Sequence, residues 1–91
     1  MFKIIEKSKI AESTFLMKID ALKIASKRKP GQFVMLRIDE LGERIPLTIA
    51  GSDSTRGTIT IIFQVVGDTT RQLSGLNVGD YILDVVGPLG H

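Results

Sequence analysis

The stretch that decides the fold is RIPLTIAGSDSTRGTITIIFQVVG, Arg44 to Gly67. Two apolar runs flank a polar segment, SDSTRG, whose composition is that of a tight turn between strands. The second run, TITIIFQVV, is dense in β-branched residues and reads as a strand. Alternation puts Ile59, Ile61, Phe63 and Val65 on one face, and Thr58, Thr60, Ile62, Gln64 and Val66 on the other. The second face is mixed, so it is expected to meet something other than plain water.

The first run looks damaged as a strand. It starts at Arg44, carries Pro46, and ends in Gly51-Ser52. Proline cannot donate to a ladder, so Pro46 belongs on an edge, at a bulge or at a strand start. Such an interruption frees neighbouring backbone groups for another partner. A planar heteroaromatic ligand with edge donors and acceptors would suit, with Thr48, on the face of Pro46, adding a hydroxyl and Arg44 lying near a phosphate. An edge strand that merely uses proline against aggregation is the plainer alternative, and these residues alone leave both open.

Outward from this pair the pattern stays β. On the N-terminal side, KPGQFVMLRI gives a turn at Pro30-Gly31 and a strand from Gln32 to Ile38, followed by a polar hairpin loop around Glu40–Gly42. Before it, MFKIIEKSKI and TFLMKIDAL are short strands joined near Ala11-Glu12-Ser13, with Phe15, Met17 and Ile19 on one face. On the C-terminal side, GDTTRQLSGLNVGD is the one expected helix: Thr69 and Gln72 fit a capping box and Gly75 a stop. NVGD then turns into a last strand, YILDVVG, and the sequence closes on GPLGH. Half a dozen short strands with one short helix predict an all-β, closed or nearly closed antiparallel barrel, which would also remove exposed edges.

With 91 residues the sequence is one small domain, or a piece of something larger. A chain of this size buries roughly 60% of its unfolded surface, enough for one modest core. No apolar run approaches the roughly 18 residues of a membrane span, and the first residues lack the apolar core of a secretory signal, so the expected location is the cytoplasm. Twelve basic and ten acidic residues leave a net charge of +2, which argues against a nucleic-acid partner. The one dense cluster, Lys27-Arg28-Lys29, reads either as a solvated loop or as a binding patch. There is no cysteine, and the single histidine is His91, so neither a thiolate metal site nor histidine base chemistry is expected.

No nucleophile and base stand at a usable spacing. Anion-binding groups are more evident. VVGDTTRQL places Gly67, Asp68, Thr69 and Thr70 at a helix mouth, where free amides and hydroxyls attract phosphate. Thr69 that only caps the helix, and Arg71 that is only solvated, are the alternatives, and spacing does not decide between them.

Taken together, KPGQFVMLRI, RIPLTIA and TITIIFQVVGDTTRQLSGLNVGDYILDVVGPLGH resemble the amino-terminal barrel of the ferredoxin–NADP reductase superfamily. The similarity runs from Lys29 onward, with blocks in the same order and spacing. Two branches look nearest: the small subunit of NADH-dependent ferredoxin:NADP oxidoreductase (the sulfide dehydrogenase subunit) and the electron-transfer subunit of dihydroorotate dehydrogenase. ERIPLTIA and VVGPLGH lean toward the first.

The resemblance implies that residues 1–91 are a six-stranded antiparallel Greek-key barrel with one short helix that binds FAD, at the N-terminal end of a longer flavoprotein oxidoreductase. A nicotinamide-binding domain for NAD(P) and a 2Fe–2S iron–sulfur cluster would follow, and a larger catalytic or flavoprotein subunit would be the partner. Carried over by residue, the family's Arg-x-x-Ser/Thr flavin motif falls on Ile45, Pro46, Leu47 and Thr48, with Thr48 near the flavin N5. Ile45 stands where the family has arginine, and Arg44 lies one residue earlier, where the resemblance implies reach toward the pyrophosphate. The second FAD segment falls on Ile62, Phe63 and Gln64, where the dihydroorotate branch commonly has Ile/Leu-Tyr-Arg; backbone contacts survive that change more readily than side-chain ones. The third, Gly-Glu-Gly-Thr in relatives, falls on Gly67, Asp68, Thr69 and Thr70, with Thr69 replacing a glycine and Thr70 and the helix amides facing the pyrophosphate. Gly87 and Gly90 are expected to be turn residues without a ligand role. No catalytic side chain and no metal ligand are implied. An oligonucleotide-binding barrel is the rival binding class, but it needs exposed aromatics in a basic groove, and this chain has four Phe, one Tyr and no Trp. A flavin-free docking or structural barrel is the third.

Overall fold

The computed structural model describes residues 1–90; His91 lies outside them. The elements run β1 (Phe2–Ala11), β2 (Thr14–Asp20), α1 (Leu22–Lys27), β3 (Phe33–Arg37), β4 (Ile45–Asp53), β5 (Thr58–Gln64), α2 (Asp68–Ser74), β6 (Tyr81–Ile82) and β7 (Asp84–Leu89). One seven-stranded sheet has the order β6-β1-β2-β5-β4-β3-β7, and every recorded pairing is antiparallel. Its two outer strands, β6 and β7, are consecutive in sequence. Between them Leu83 donates its amide to the Ile38 carbonyl at 3.0 Å, so the sheet curls into a nearly closed barrel.

The expected barrel is all-β and antiparallel, as read, but its count is corrected from six strands to seven and from one helix to two. The last strand, expected to be continuous, breaks at Leu83 because its first part pairs with β1 and its second with β3. Helix α1 was not legible: six residues give no clear 3.6 period, and its N-cap, Ala21, makes no side-chain cap bond. GPLG is likewise no turn. Gly87 lies inside β7, where a Cβ would sit 3.0 Å from Val34 Cγ1 and 3.2 Å from the Phe33 carbonyl, so its smallness serves close strand packing; Gly90, at φ 89°, does match a turn residue.

The interior follows the alternation. Ile4, Met17, Ile19, Ile59, Ile61 and Ile49 are essentially inaccessible to solvent, and Leu73 of α2 joins them. Each such side chain contributes about 1.5–3 kcal/mol on burial. Phe15 and Val65, expected on the buried faces, are only half-buried. The KPGQF segment has a structural reason too. Gln32, 9% exposed, donates Nε2 to the Gly90 carbonyl at 3.0 Å and accepts the Lys29 amide on Oε1 at 2.7 Å. It thereby ties the start of β3 to the end of β7.

Candidate functional site

The oddity of Pro46 resolves in the ladder. Strand β4 changes partners along its length: Ile45–Thr48 pair with β3, while Ile49–Asp53 pair with β5. Ile49 donates its amide to the Gln32 carbonyl at 3.0 Å. Antiparallel pairs alternate between hydrogen-bonded and non-hydrogen-bonded, so Phe33–Thr48 and Met35–Pro46 are both of the second kind. The nitrogen of Pro46 and the amide of Thr48 therefore point away from β3. Pro46 sacrifices no bond.

On the side toward β5 the register ends at Ile49–Ile61, and β4 before Ile49 has no strand partner there among the described residues. Across the opening, the Val65 amide donates to the Ser13 carbonyl at 2.8 Å, which fixes the alternation of β5 and turns the main-chain groups of Gln64 toward β4. Two strands of one sheet thus splay apart, with the Thr48 amide and the Gln64 amide and carbonyl opening into the gap.

Side chains make this gap a shelf. Ile45 and Leu47 are half-buried and pack on the core, while Pro46, Thr48 and Ala50 stand exposed on the outer face of β4. Across from them Ile62 is 43% exposed, Gln64 is exposed, and Val66 is 77% exposed. Phe63 points the other way. It is 4% exposed and stacks on Phe15 with centroids 5.9 Å apart, so only its backbone belongs to the shelf.

The third predicted segment follows directly. Helix α2 starts at Asp68 with Gly67 as N-cap, two residues earlier than the Thr69–Gln72 box implied. The capping group is Thr70: its hydroxyl accepts the Val66 amide at 2.9 Å and the Gly67 amide at 3.0 Å, and donates to the Gly67 carbonyl at 3.1 Å. Thr70 is 9% exposed, so its hydroxyl is committed to the chain. Thr69 is half-buried and Gly67 exposed. Gln72, freed from capping, donates to Asp39 Oδ2 at 2.8 Å and ties α2 to the β3–β4 loop. Arg71 pairs with Asp68 at 3.4 Å and is exposed.

Arg44 is engaged elsewhere than expected. Its Nη1 donates to Asp84 Oδ2 at 2.8 Å, clamping the start of β4 to β7. Of the basic cluster, Lys27 and Lys29 are exposed, but Arg28 turns inward, and its Nη2 donates to the Ile49 carbonyl at 3.1 Å. The strand pattern gave no hint of Asp84 or Arg28, because both act through contacts distant in sequence. Among the described residues no group of three or more His, Cys, Asp or Glu is placed to hold a metal ion, and no helix is long and apolar enough to cross a membrane. The gap offers main-chain donors and acceptors beside a partly apolar shelf, which fits a flat ring with polar edge atoms.

Comparison with known proteins bears on the chain as a whole. The oxidoreductase FAD-binding domain family matches residues 1–91. The uncharacterised protein in the adh 3′ region of Clostridium beijerinckii is 51% identical over 90 residues, which make up 99% of this chain and 30% of that protein. The dihydroorotate dehydrogenase B (NAD(+)) electron transfer subunit homolog of Thermotoga maritima is 48% identical over 88 residues, 97% of this chain and 31% of that one. Among solved structures, an NADH-dependent reduced ferredoxin–NADP oxidoreductase, described for flavin-based electron bifurcation, superimposes with a TM-score of 0.98 at 46% identity, covering 100% of this chain and 33% of its own. The chain thus spans about a third of the length of the proteins it matches. On its whole-length match and its barrel, the chain belongs to the oxidoreductase FAD-binding domain family.

Proposed function

We propose that residues 1–91 form the FAD-binding domain of a longer NAD(P)H-dependent flavin oxidoreductase subunit, and that the isoalloxazine docks in the gap between β4 and β5. The observation that carries this reading is the end of the β4–β5 ladder at Ile49–Ile61, in a chain whose family is FAD-binding. Thr48 offers its amide and hydroxyl to the ring edge near N5. Pro46 and Leu47 shape the strand beside the ring, and Ile45 anchors that strand in the core. Ile62 supplies an apolar flank, while Phe63 and Gln64 contribute main chain. Gly67, Thr69 and Thr70 bring backbone toward the diphosphate, with the Thr70 hydroxyl serving only to shape that bend. Arg44, held by Asp84, fixes the entry of β4 and leaves the diphosphate to the amides.

When bound, FAD supplies the redox chemistry, taking a hydride and releasing electrons singly, while the protein positions it and tunes its edge atoms. The residues named here need to hold no proton in that exchange. The names of the relatives support electron flow between a nicotinamide cofactor and ferredoxin through an electron transfer subunit; an iron–sulfur cluster, a larger partner subunit and a cytoplasmic location are further parts of the proposal. A second reading, the electron-transfer subunit of a dihydroorotate dehydrogenase, is favoured by the Thermotoga maritima relative. Purifying the full-length protein tests the proposal. A yellow preparation with a flavin absorption band that NAD(P)H bleaches is expected; a protein that is colourless and takes up no added FAD would refute it. Reduction of ferredoxin or NADP rather than orotate separates the two readings.

A further inference from the structure

We infer that Arg28 is a positioning residue for the flavin gap, supplying the donor that β3 lacks where β4 changes partners. The inference rests on the proposed docking of the ring between β4 and β5. Ile49 is the pivot, since pairing with β3 ends just before it and pairing with β5 begins at it. Its amide donates to the Gln32 carbonyl at 3.0 Å. In a complete hydrogen-bonded pair, the Gln32 amide would return a bond to the Ile49 carbonyl. It does not, because that amide closes the Pro30-Gly31 turn on the Lys29 carbonyl at 3.3 Å. Arg28 Nη2 takes the vacant role at 3.1 Å.

The guanidinium is seated in the barrel wall rather than in solvent. Its Nε is enclosed and without a partner among the described residues, whereas the side chains of Lys27 and Lys29 are exposed. Enclosing an N–H without an acceptor is unfavourable, and a methionine would fill the same space without that loss. Space-filling therefore does not account for an arginine here; the bond to Ile49 does. Without it the Ile49 carbonyl loses its donor beside the gap, and at this pivot only the single Ile49–Gln32 bond still holds β4 against β3 and away from β5. The ladder could then extend past Ile49–Ile61 and narrow the space between Thr48 and Gln64. Arg28 holds that space open.

The test compares full-length wild type with Arg28→Met, Arg28→Lys and a control, Asp80→Ala. The control removes the carboxylate that accepts the Asn77 amide at 2.7 Å, in the turn before β6 and away from the gap. FAD affinity, the visible circular dichroism of the bound flavin and the melting temperature of the FAD-free protein are measured for each. Arg28→Met is expected to bind FAD about tenfold more weakly or worse, with altered visible dichroism, as loss of one charge-assisted hydrogen bond at the site implies. Arg28→Lys, which keeps a cationic donor, should recover most of both signals. Asp80→Ala should lower the melting temperature and leave both flavin signals unchanged. Wild-type affinity and dichroism in Arg28→Met would overturn this inference alone. Equal weakening in Arg28→Met and Asp80→Ala would overturn it too, by showing a general stability effect. Wild-type protein that binds no FAD would overturn it together with the proposed function.

Discussion

Replacing Thr70 by valine removes one hydroxyl and preserves the shape of the side chain. In the native bend that hydroxyl accepts two amides, from Val66 at 2.9 Å and Gly67 at 3.0 Å, and donates to the Gly67 carbonyl. Each orphaned amide costs about 1–3 kcal/mol if it stays dry. Val66 and Gly67 are exposed, so water can reach them after a small opening, and the low end of that range applies. About 1 kcal/mol for each of the two gives a loss of roughly 2 kcal/mol. For a domain of this size that lowers Tm by about 8–16 °C. Thr70→Ser, which keeps the hydroxyl, should lose only the methyl, about 0.8 kcal/mol, and melt a few degrees below wild type. Thermal unfolding of the FAD-free protein, followed by far-ultraviolet circular dichroism, reads the difference. If Thr70→Val melts with wild type but loses FAD affinity, the hydroxyl is a ligand and not a cap, and the reasoning fails.

Thr48 is exposed and its hydroxyl makes no hydrogen bond among the described residues, so Thr48→Val should change stability by no more than about 0.5 kcal/mol. The same change should shift the two-electron flavin potential by about 20 mV, as expected for one lost hydrogen bond of about 1 kcal/mol made in one redox state; an unchanged potential and unchanged reduction kinetics would contradict the role. Gly57 sits at φ 73°, and a Cβ there would lie 2.9 Å from Leu22 Cδ1 and 3.3 Å from its Cα, so Gly57→Ala should cost at least about 1–2 kcal/mol in denaturant unfolding. Arg44→Gln breaks a half-exposed ion pair and should cost less than about 1 kcal/mol, with the difference vanishing near 1 M salt. FAD affinity in that variant should stay within about twofold of wild type, since one tenfold step is about 1.4 kcal/mol; a tenfold loss would place Arg44 on the diphosphate.

What the sequence conveyed best was whatever repeats every second residue. Met17, Ile19, Ile59, Ile61 and Phe63 point inward as alternation requires, and the turn at SDSTRG falls where its composition puts it, with Asp53 Oδ1 accepting the Thr55 and Arg56 amides at 3.0 Å. Pro46 was a legible sign that the ladder was interrupted, because proline removes a donor whatever the fold. Which side the interruption faced was not legible. That depends on the Ile49–Gln32 bond, a contact between residues whose pairing no local pattern announces. The same reason hid Arg28 and Asp84: a basic run and an isolated aspartate look solvated until the barrel closes and brings Ile49 and Arg44 beside them. Helix α1 and the break at Leu83 were hidden differently, being too short to show a period.

Amide hydrogen exchange of the full-length protein, measured with and without FAD, bears most directly on the gap between β4 and β5. Without FAD the Thr48 and Gln64 amides should exchange fast, while Ile49, donating to Gln32, stays protected. Adding FAD should slow Thr48 and Gln64 and leave Ile49 unchanged. Thr48 and Gln64 amides already protected without FAD, or indifferent to it, would show that the strands close on each other and hold no ring between them.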